Sequence, residues 1–190
     1  MKKIIILLSA LLLSAFVCGA QNEVALKTNL VHDATLSPNL ALELAIAPKW
    51  TLDLSASFNK WRSYGMIYKH AIAQPEFRYW TCDRFRGFFV GVHGIGGRLK
   101  IGDFYNLNAT FPKAPNLKEH RLDNAFVVGA GIACGYDIVL CRHWNLEFEL
   151  GAGYAYVRGS EYDGDVLIGN DAVFEYLGPT KLAINIVYLF

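Results

Sequence analysis

Charged side chains recur at every second position inside otherwise apolar stretches of this sequence. Glu147 and Glu149 lie in WNLEFELGAGYAYVR, and Glu76 and Arg78 lie in QPEFRYW. Residues two apart in a strand share one face, so each pair would point the same way. Paired carboxylates can act as general acid and base. The same spacing also suits ion pairs inside a small barrel, whose interior is filled by side chains, and we expect this structural role.

The other residue types that carry chemistry form no recognisable catalytic or metal-binding pattern. No serine accompanies a histidine in a nucleophile arrangement, and the cysteines lack the spacing of a zinc site. The glycine-rich stretches GVHGIGG and GAGIACG open no predicted helix, so they lack the anion site of a phosphate loop. We therefore predict that the protein is not an enzyme and has no catalytic residue, no cofactor and no metal.

The composition argues against nucleic-acid binding. The 190 residues carry a formal net charge of +1, so no basic surface is available for phosphates. Hydrophobic residues make up 53% of the chain and aromatic residues 14%, yet no long apolar run follows the first twenty residues. The hydrophobic side chains must therefore be dispersed through alternating strands.

The first twenty residues have the pattern of a secretory signal peptide. A basic start, MKK, precedes an apolar run from Ile4 to Val17, and small residues follow up to Ala20. This run is shorter than the roughly 20 apolar residues of a membrane-spanning helix. We predict a signal peptide at 1–20 and one mature domain at 21–190, with lipoprotein processing at Cys18 as the alternative.

Eight segments alternate between apolar and polar residues, and none shows a helical period. They cover residues 23–33, 39–47, 50–59, 70–80, 87–101, 122–140, 144–158 and 181–190. Tight connections at 48–49, 82–86 and 141–143 alternate with long polar ones at 60–69, 102–121 and 159–178. This pattern predicts an all-β fold, an eight-stranded antiparallel up-and-down transmembrane barrel with tight periplasmic turns and longer extracellular loops.

Alternation alone does not say which face points inward, because a soluble carrier barrel is apolar inside and a membrane barrel is apolar outside. Charges near the middle of the strands favour the membrane form, since they could satisfy one another in the lumen, whereas an unpaired buried charge is very costly. Lys27 and Lys181 would assist Arg78 as cations. The predicted lumen charge network consists of Glu43, Asp53, Glu76, Arg78, Glu147 and Glu149. A secreted lipocalin-like ligand-binding barrel is the alternative.

Aromatic residues gather near the predicted strand ends, as expected for the two interfaces of a bilayer. Trp50, Trp80, Tyr136, Trp144 and Phe190 lie beside tight turns or at the chain end, and Phe58, Trp61, Tyr154 and Tyr156 lie toward the long loops. The final strand, KLAINIVYLF, is similar to the terminal strands of Gram-negative membrane barrels, which the barrel assembly machinery reads. On this resemblance, Tyr188 and Phe190 form a terminal assembly signal.

Two local features leave alternatives open. Cys82 and Cys141 both lie in tight turns at the predicted periplasmic end, an oxidising compartment where a disulfide could join them. Neighbouring turns need not bring the two Cα atoms within about 7 Å, so the free thiols are the alternative. Pro75 lies inside the fourth strand and cannot donate to the ladder, so we expect a bulge or a locally opened hydrogen bond there.

Four stretches together resemble a known family. They are LKTNLVHDATLSPNLALELAIAPKWTLDLS, QPEFRYW, GFFVGVHGIGG and WNLEFELGAGYAYV. They are similar to the domain of unknown function 3575 family, small outer-membrane barrels of anaerobic Gram-negative bacteria whose members are often encoded near fimbrial components. The family has no established catalytic or binding residues, so none is transferred to this chain.

The resemblance implies a cell outer membrane location and a structural or surface-interaction role, with a link to fimbrial or other surface-structure assembly. The implied partners are outer-membrane lipids, the barrel assembly machinery, and a surface or fimbrial protein bound through loops 102–121 and 159–178. A lipid-modifying outer-membrane barrel enzyme is the remaining alternative.

Overall fold

The computed structural model describes residues 23–63, 66–102, 120–163 and 166–190. The predicted signal peptide at 1–20 lies outside these residues. The elements in chain order are β1 Val24–Asn29, α1 Leu30–Ala34, β2 Asn39–Ala47, β3 Trp50–Ser63, β4 Met66–Trp80, β5 Gly87–Gly102, β6 His120–Val139, β7 Trp144–Asp163 and β8 Val166–Leu189. In the described part of the chain, no helix is long and apolar enough to span a membrane.

The eight strands pair antiparallel in sequence order and close into a barrel, which confirms the predicted all-β, up-and-down arrangement. Closure joins the first strand to the last, with Leu26 opposite Tyr188 and Thr28 opposite Ile186. The terminal backbone is also paired, since the Phe190 amide donates to the Val24 carbonyl at 3.1 Å. A closed ring leaves neither β1 nor β8 as an open edge where they pair.

The first strand is shorter than the predicted segment 23–33. The Asn29 side chain accepts a hydrogen bond from the Val31 amide at 3.0 Å and so caps the short helix α1. The same side chain donates to the Leu182 carbonyl of β8 at 3.1 Å, where the β1–β8 ladder has ended. Alternation of residue types continues past this asparagine, but its side chain offers the backbone a competing partner and ends the strand.

Two of the three predicted long loops were wrong. Residues 60–63 and 66–69 belong to β3 and β4, and 159–163 and 166–178 belong to β7 and β8. The polar sequence was misleading, because the two strands of an antiparallel hairpin hydrogen-bond each other's backbone even where their side chains are exposed to solvent. In the third predicted loop, residue 102 and residues 120–121 lie in β5 and β6, and 103–119 lie outside the described residues.

These long hairpins make the two ends of the barrel different. We call the end with the connections β2–β3, β4–β5 and β6–β7 the turn end, and the opposite end the arm end. β1 and β2 are short, with 6 and 9 residues, whereas β6, β7 and β8 have 20, 20 and 24. The later strands therefore extend far beyond the first hairpin at the arm end.

Pro75 produces an opened ladder and no bulge. On the β3 side it pairs in register with Leu54. On the β5 side the ladder stops at Ala73–Gly96 and resumes at Glu76–His93 with the same offset, so no residue has been inserted. The ladder is interrupted at the one residue that has no N–H to donate.

Candidate functional site

The six residues of the predicted charge network all lie in the lumen, together with Lys27. Each of them is at most 2% exposed. Their strand neighbours point outward, as Phe77 between Glu76 and Arg78 and Phe148 between Glu147 and Glu149 illustrate, at 52% and 42% exposed. The period of two therefore places charge inside and apolar side chains outside.

Arg78, on β4, is the centre of the network. Its Nε donates to Glu76 at 2.9 Å, and its Nη1 donates to Glu43 and to Glu147, both at 2.9 Å. Its Nη2 donates to Glu149 at 2.8 Å and lies 3.0 Å from Asp53 Oδ2. The planar guanidinium carries five N–H donors in a fixed fork, which lets one cation contact five carboxylates.

Two lysines flank the arginine. Lys27 Nζ donates to Glu43 at 2.6 Å, contacts Asp53, and lies 3.4 Å from Glu147. Lys181 Nζ lies 2.6 Å from Glu76 and 3.0 Å from Glu149. These lysines come from the first and last strands, so closure of the barrel is what brings them to the charges of the middle strands.

Neutral donors complete part of the network. The Thr51 hydroxyl donates to Glu43, and the Asn185 amide donates to Glu147 at 2.7 Å. The Trp80 indole N–H in turn donates to Thr51 at 2.9 Å. Satisfied hydrogen bonds of this kind offset part of the cost of removing charged groups from water.

An aromatic floor, made of Trp80, Phe85 and Phe89, closes the lumen at the turn end. The Trp80 and Phe89 rings are 4.8 Å apart, and Phe89 lies under the Arg78 guanidinium at 4.4 Å. Phe85 enters from the β4–β5 turn and is 3% exposed. The prediction that Trp80 belongs to an outer aromatic belt was wrong, because its place in the alternation puts it on the same face as Arg78.

The remaining belt residues that the structure describes lie outside. Trp50, Tyr136, Trp144 and Phe190 are exposed near the turn end, and Phe58 and Tyr154 are exposed toward the arm end. Tyr156 is half-buried on the same face as Tyr154, and the side chain of Trp61 lies outside the described part of the structure. Trp50 packs against Tyr79, and Tyr188 packs against both Trp144 and Phe190, with ring centroids 5.0–5.1 Å apart. Tyr188 and Phe190, the predicted assembly signal, are thus neighbours on the outer surface.

Small lumen residues make room for the network. A Cβ on Gly91 would lie 2.4 Å from Glu76 Oε1, and a Cβ on Gly135 would lie 2.4 Å from the Phe89 ring. Such distances are far below van der Waals contact, so these two positions require glycine while Glu76 and Phe89 keep their places.

A cavity of about 80 Å³ lies above the network, on the side of α1. Its lining includes Asp53 and Glu149 from the network, Ser55, and His32 from α1. Burial lowers the pKa of His32, which disfavours the positively charged form of its ring.

Two lumen residues were missed by sequence reasoning. Asp137 and His93 are at most 2% exposed and lie on the inward face of their strands. Alternation around Tyr136 could have identified Asp137 as an inward residue. Asp137 lies directly opposite Glu147, so two buried carboxyl groups face each other across β6 and β7.

The cysteines do not form a bridge in the structure. Cys82 and Cys141 are exposed free thiols with no disulfide between them, and Cys134 is also free and exposed. Among the described residues, no three His, Cys, Asp or Glu side chains are grouped so that they could hold a metal ion directly.

Comparison of the sequence with protein-family models shows which family the chain belongs to. The model of the family described as a protein of unknown function, DUF3575, matches residues 4–190, nearly the whole chain. The chain belongs to the DUF3575 family. No curated protein and no solved structure matches this DUF3575 protein. The function is therefore inferred from the geometry of the barrel.

Proposed function

We propose that this DUF3575 protein is a non-enzymatic outer-membrane barrel with a structural or surface-interaction role. The observation that carries the proposal is the inverted distribution of side chains. Six carboxyl groups, one arginine and two lysines occupy the lumen, while large apolar side chains face outward. In water, this arrangement would expose apolar surface and bury charge, both unfavourably. In a bilayer, the outer face is buried in lipid instead.

The outer face has the features of a lipid-facing band. Val92, Ile132 and Leu150 are 63%, 69% and 62% exposed. They are neighbours on three adjacent strands, because Ile132 pairs with Val92 on β5 and with Ala152 on β7, and Leu150 lies two residues before Ala152. The exposed Tyr136 and Trp144 flank this band at the turn end, and Tyr154 flanks it at the arm end. Apolar residues between aromatic girdles are typical of transmembrane barrels.

The proposed orientation places the turn end in the periplasm and the arm end outside the cell. β7 and β8 have 20 and 24 residues, whereas about 9–11 tilted residues suffice to cross a bilayer. The β7–β8 hairpin would therefore project beyond the membrane. Its exposed Val166, Leu167 and Ile168 are candidate contacts for a surface or fimbrial protein.

A lipocalin-like carrier is the less favoured interpretation of the same fold. Such a barrel needs an apolar interior for its ligand. Here the middle of the lumen is occupied by the ion-pair network, and the cavity above it, of about 80 Å³, is much smaller than the roughly 300–1,000 Å³ of a ligand pocket.

Membrane fractionation of untagged protein is the first test. We expect the protein in the outer-membrane fraction, resistant to carbonate and high-salt extraction and released by detergent. Recovery as a detergent-free soluble protein from the periplasm or medium would refute the proposal.

Arginine substitutions at matched exposure give a sharper test. Ile132→Arg lies in the proposed band and Val166→Arg on the arm, at positions 69% and 70% exposed. In lipid vesicles we expect Ile132→Arg to lower the free energy of unfolding by about 2–4 kcal/mol, and Val166→Arg by less than about 1 kcal/mol. Val128→Arg, nearer the arm end, should fall between them. Equal and small effects at all three positions would mean that the outer face meets water.

A further inference from the structure

β8 is paired along one side for nearly its whole length but along the other side for only a short stretch. β7 pairs with β8 from Val166 to Tyr188, whereas β1 pairs only with Asn185 to Leu189. No described strand pairs with that second side of β8 between Val166 and Ile184. A strand edge of this kind is a template for pairing with another strand.

The part of this side nearest β1 is satisfied by local contacts. The Asn29 side chain donates to the Leu182 carbonyl at 3.1 Å and accepts from the Ile184 amide at 3.3 Å. Pro179 has no N–H to satisfy, and its carbonyl accepts a hydrogen bond from the Tyr176 hydroxyl at 2.9 Å. Open backbone groups are not tolerated against lipid, so these contacts suit a stretch that lies in the bilayer.

Three residues nearer the arm end, Val173, Glu175 and Leu177, form what we call the open edge. Alternate residues of an antiparallel strand direct their N–H and C=O groups to opposite sides. In β8 the outward-facing residues direct theirs away from β7, as Ile184 does when its amide donates to Asn29. The bulge in the β7–β8 ladder preserves this relation for the open edge. Within the described part of the chain, these three residues form no backbone hydrogen bond on that side.

The open edge starts at the outer end of the proposed lipid-facing band and continues beyond it. Leu177 pairs with Tyr154, which flanks the band at the arm end. Val173 pairs with Arg158, farther along β7 in the direction of the arm, and Glu175 lies between. In the proposed orientation, the free backbone groups of the open edge therefore face the outside of the cell, where a soluble polypeptide can reach them.

The side chains of the open edge select the chemistry of the strand that fits it. Leu177 and Val173 are 83% and 47% exposed, and Glu175 between them is also exposed. Opposite charges on facing strand positions stabilise a sheet, and like charges destabilise it. An added strand would therefore present apolar residues to Leu177 and Val173 and a lysine or arginine to Glu175. The β8 strand of a second copy fits poorly, because residues 166–180 contain no lysine or arginine.

We propose that the open edge binds an extended segment of a surface protein as an added antiparallel strand, with an apolar–basic–apolar alternation on the face that meets Leu177, Glu175 and Val173. Hydrogen bonds between the two main chains would supply the affinity, and the alternate side chains would supply the specificity. The inference rests on the proposed function, because it requires the arm end to lie outside the membrane.

The test uses the full protein inserted in phosphatidylcholine vesicles, with insertion checked by resistance to carbonate extraction. The probe is a fluorescently labelled nine-residue peptide with a central lysine, a valine two positions away on either side, and threonine elsewhere. We expect saturable binding of one peptide per barrel, measured by fluorescence anisotropy. Methylation of the lysine and valine backbone nitrogens should abolish binding, because these residues would bond the open edge directly. Methylation of three threonine nitrogens is the matched control and should weaken binding much less.

Two substitutions in β8 locate the binding. Glu175→Lys should weaken binding of the lysine peptide about three- to tenfold and strengthen binding of a peptide with glutamate in place of the lysine. Asp83→Lys makes the same kind of change at an exposed position of the β4–β5 turn and should alter neither affinity. Leu177→Pro removes one N–H of the open edge and should weaken binding of both peptides.

The outcomes separate this inference from the proposed function. If the protein inserts but binds no peptide, or binds both methylated peptides equally, strand addition at the open edge is refuted while the membrane assignment stands. An unchanged affinity in both Glu175→Lys and Leu177→Pro would refute the location. A dimer that excludes the peptide, detected by chemical crosslinking, would identify a second copy as the occupant and overturn the proposal. Failure to insert would refute the proposed function and this inference with it.

Discussion

Removing the central cation is the most informative perturbation of this protein. Arg78 is fully buried and contacts five carboxylates, two of which, Glu76 and Glu149, are also held by Lys181. Arg78→Met keeps a long apolar side chain over Phe89 but deletes the charge. The five carboxyl groups then face only the ammonium groups of Lys27 and Lys181 among the described residues. Breaking a buried ion pair by removing one partner costs about 3–5 kcal/mol, and we expect a loss at the upper end of that range.

The assay is urea unfolding of the barrel in lipid vesicles, followed by tryptophan fluorescence. Arg78→Lys should lose less than Arg78→Met, because the ammonium keeps the charge but lacks the planar fork that reaches five partners. The double variant Arg78→Met, Glu147→Gln also removes one of the carboxyl groups that lost their partner, so it should recover part of the loss. These variants keep the test informative if Arg78→Met alone does not fold.

Arg84→Met is the control for a change of the same kind outside the lumen. Arg84 lies 3.9 Å from Glu23 at the turn end, in a partly exposed pair, so its loss should change stability by less than about 1 kcal/mol. If Arg78→Met were as stable as this control, the network would not hold the barrel together, and a stabilising role for the buried guanidinium would be refuted.

Two further substitutions test the packing and charge of the lumen by the same unfolding assay. Asp137→Asn should be neutral or stabilise the barrel by up to about 1 kcal/mol, because an amide cannot acquire the charge that burial and the facing Glu147 make unfavourable. A clear loss of stability would show that the carboxyl group makes a contact that the amide cannot replace. Gly91→Ala should destabilise by about 1–3 kcal/mol through its clash with Glu76. Gly96→Ala is the control, because its added Cβ would meet no atom within 4 Å. Equal losses of stability at both glycines would show that the clash with Glu76 is not the cause.

The fold class was predictable because alternation has a direct physical cause. Successive side chains of a strand point to opposite faces, so NLEFEL around Glu147 had to separate its carboxylates from Leu146 and Phe148. Strand ends were less predictable. Asn29 ended β1 through its side chain, and the polar segments near 60–69 and 159–178 remained in strands because their hairpin partners satisfied the backbone.

The candidate site was predictable as a set of residues but not as an arrangement. The sequence by itself determined that Glu76, Arg78 and Glu149 share the minority face of their strands, because a period of two allows nothing else. Only the tertiary structure decided that one guanidinium meets five carboxylates and that Trp80 closes the floor of the lumen. These contacts join strands far apart in the chain, and their distances depend on closure and register, which no local pattern encodes.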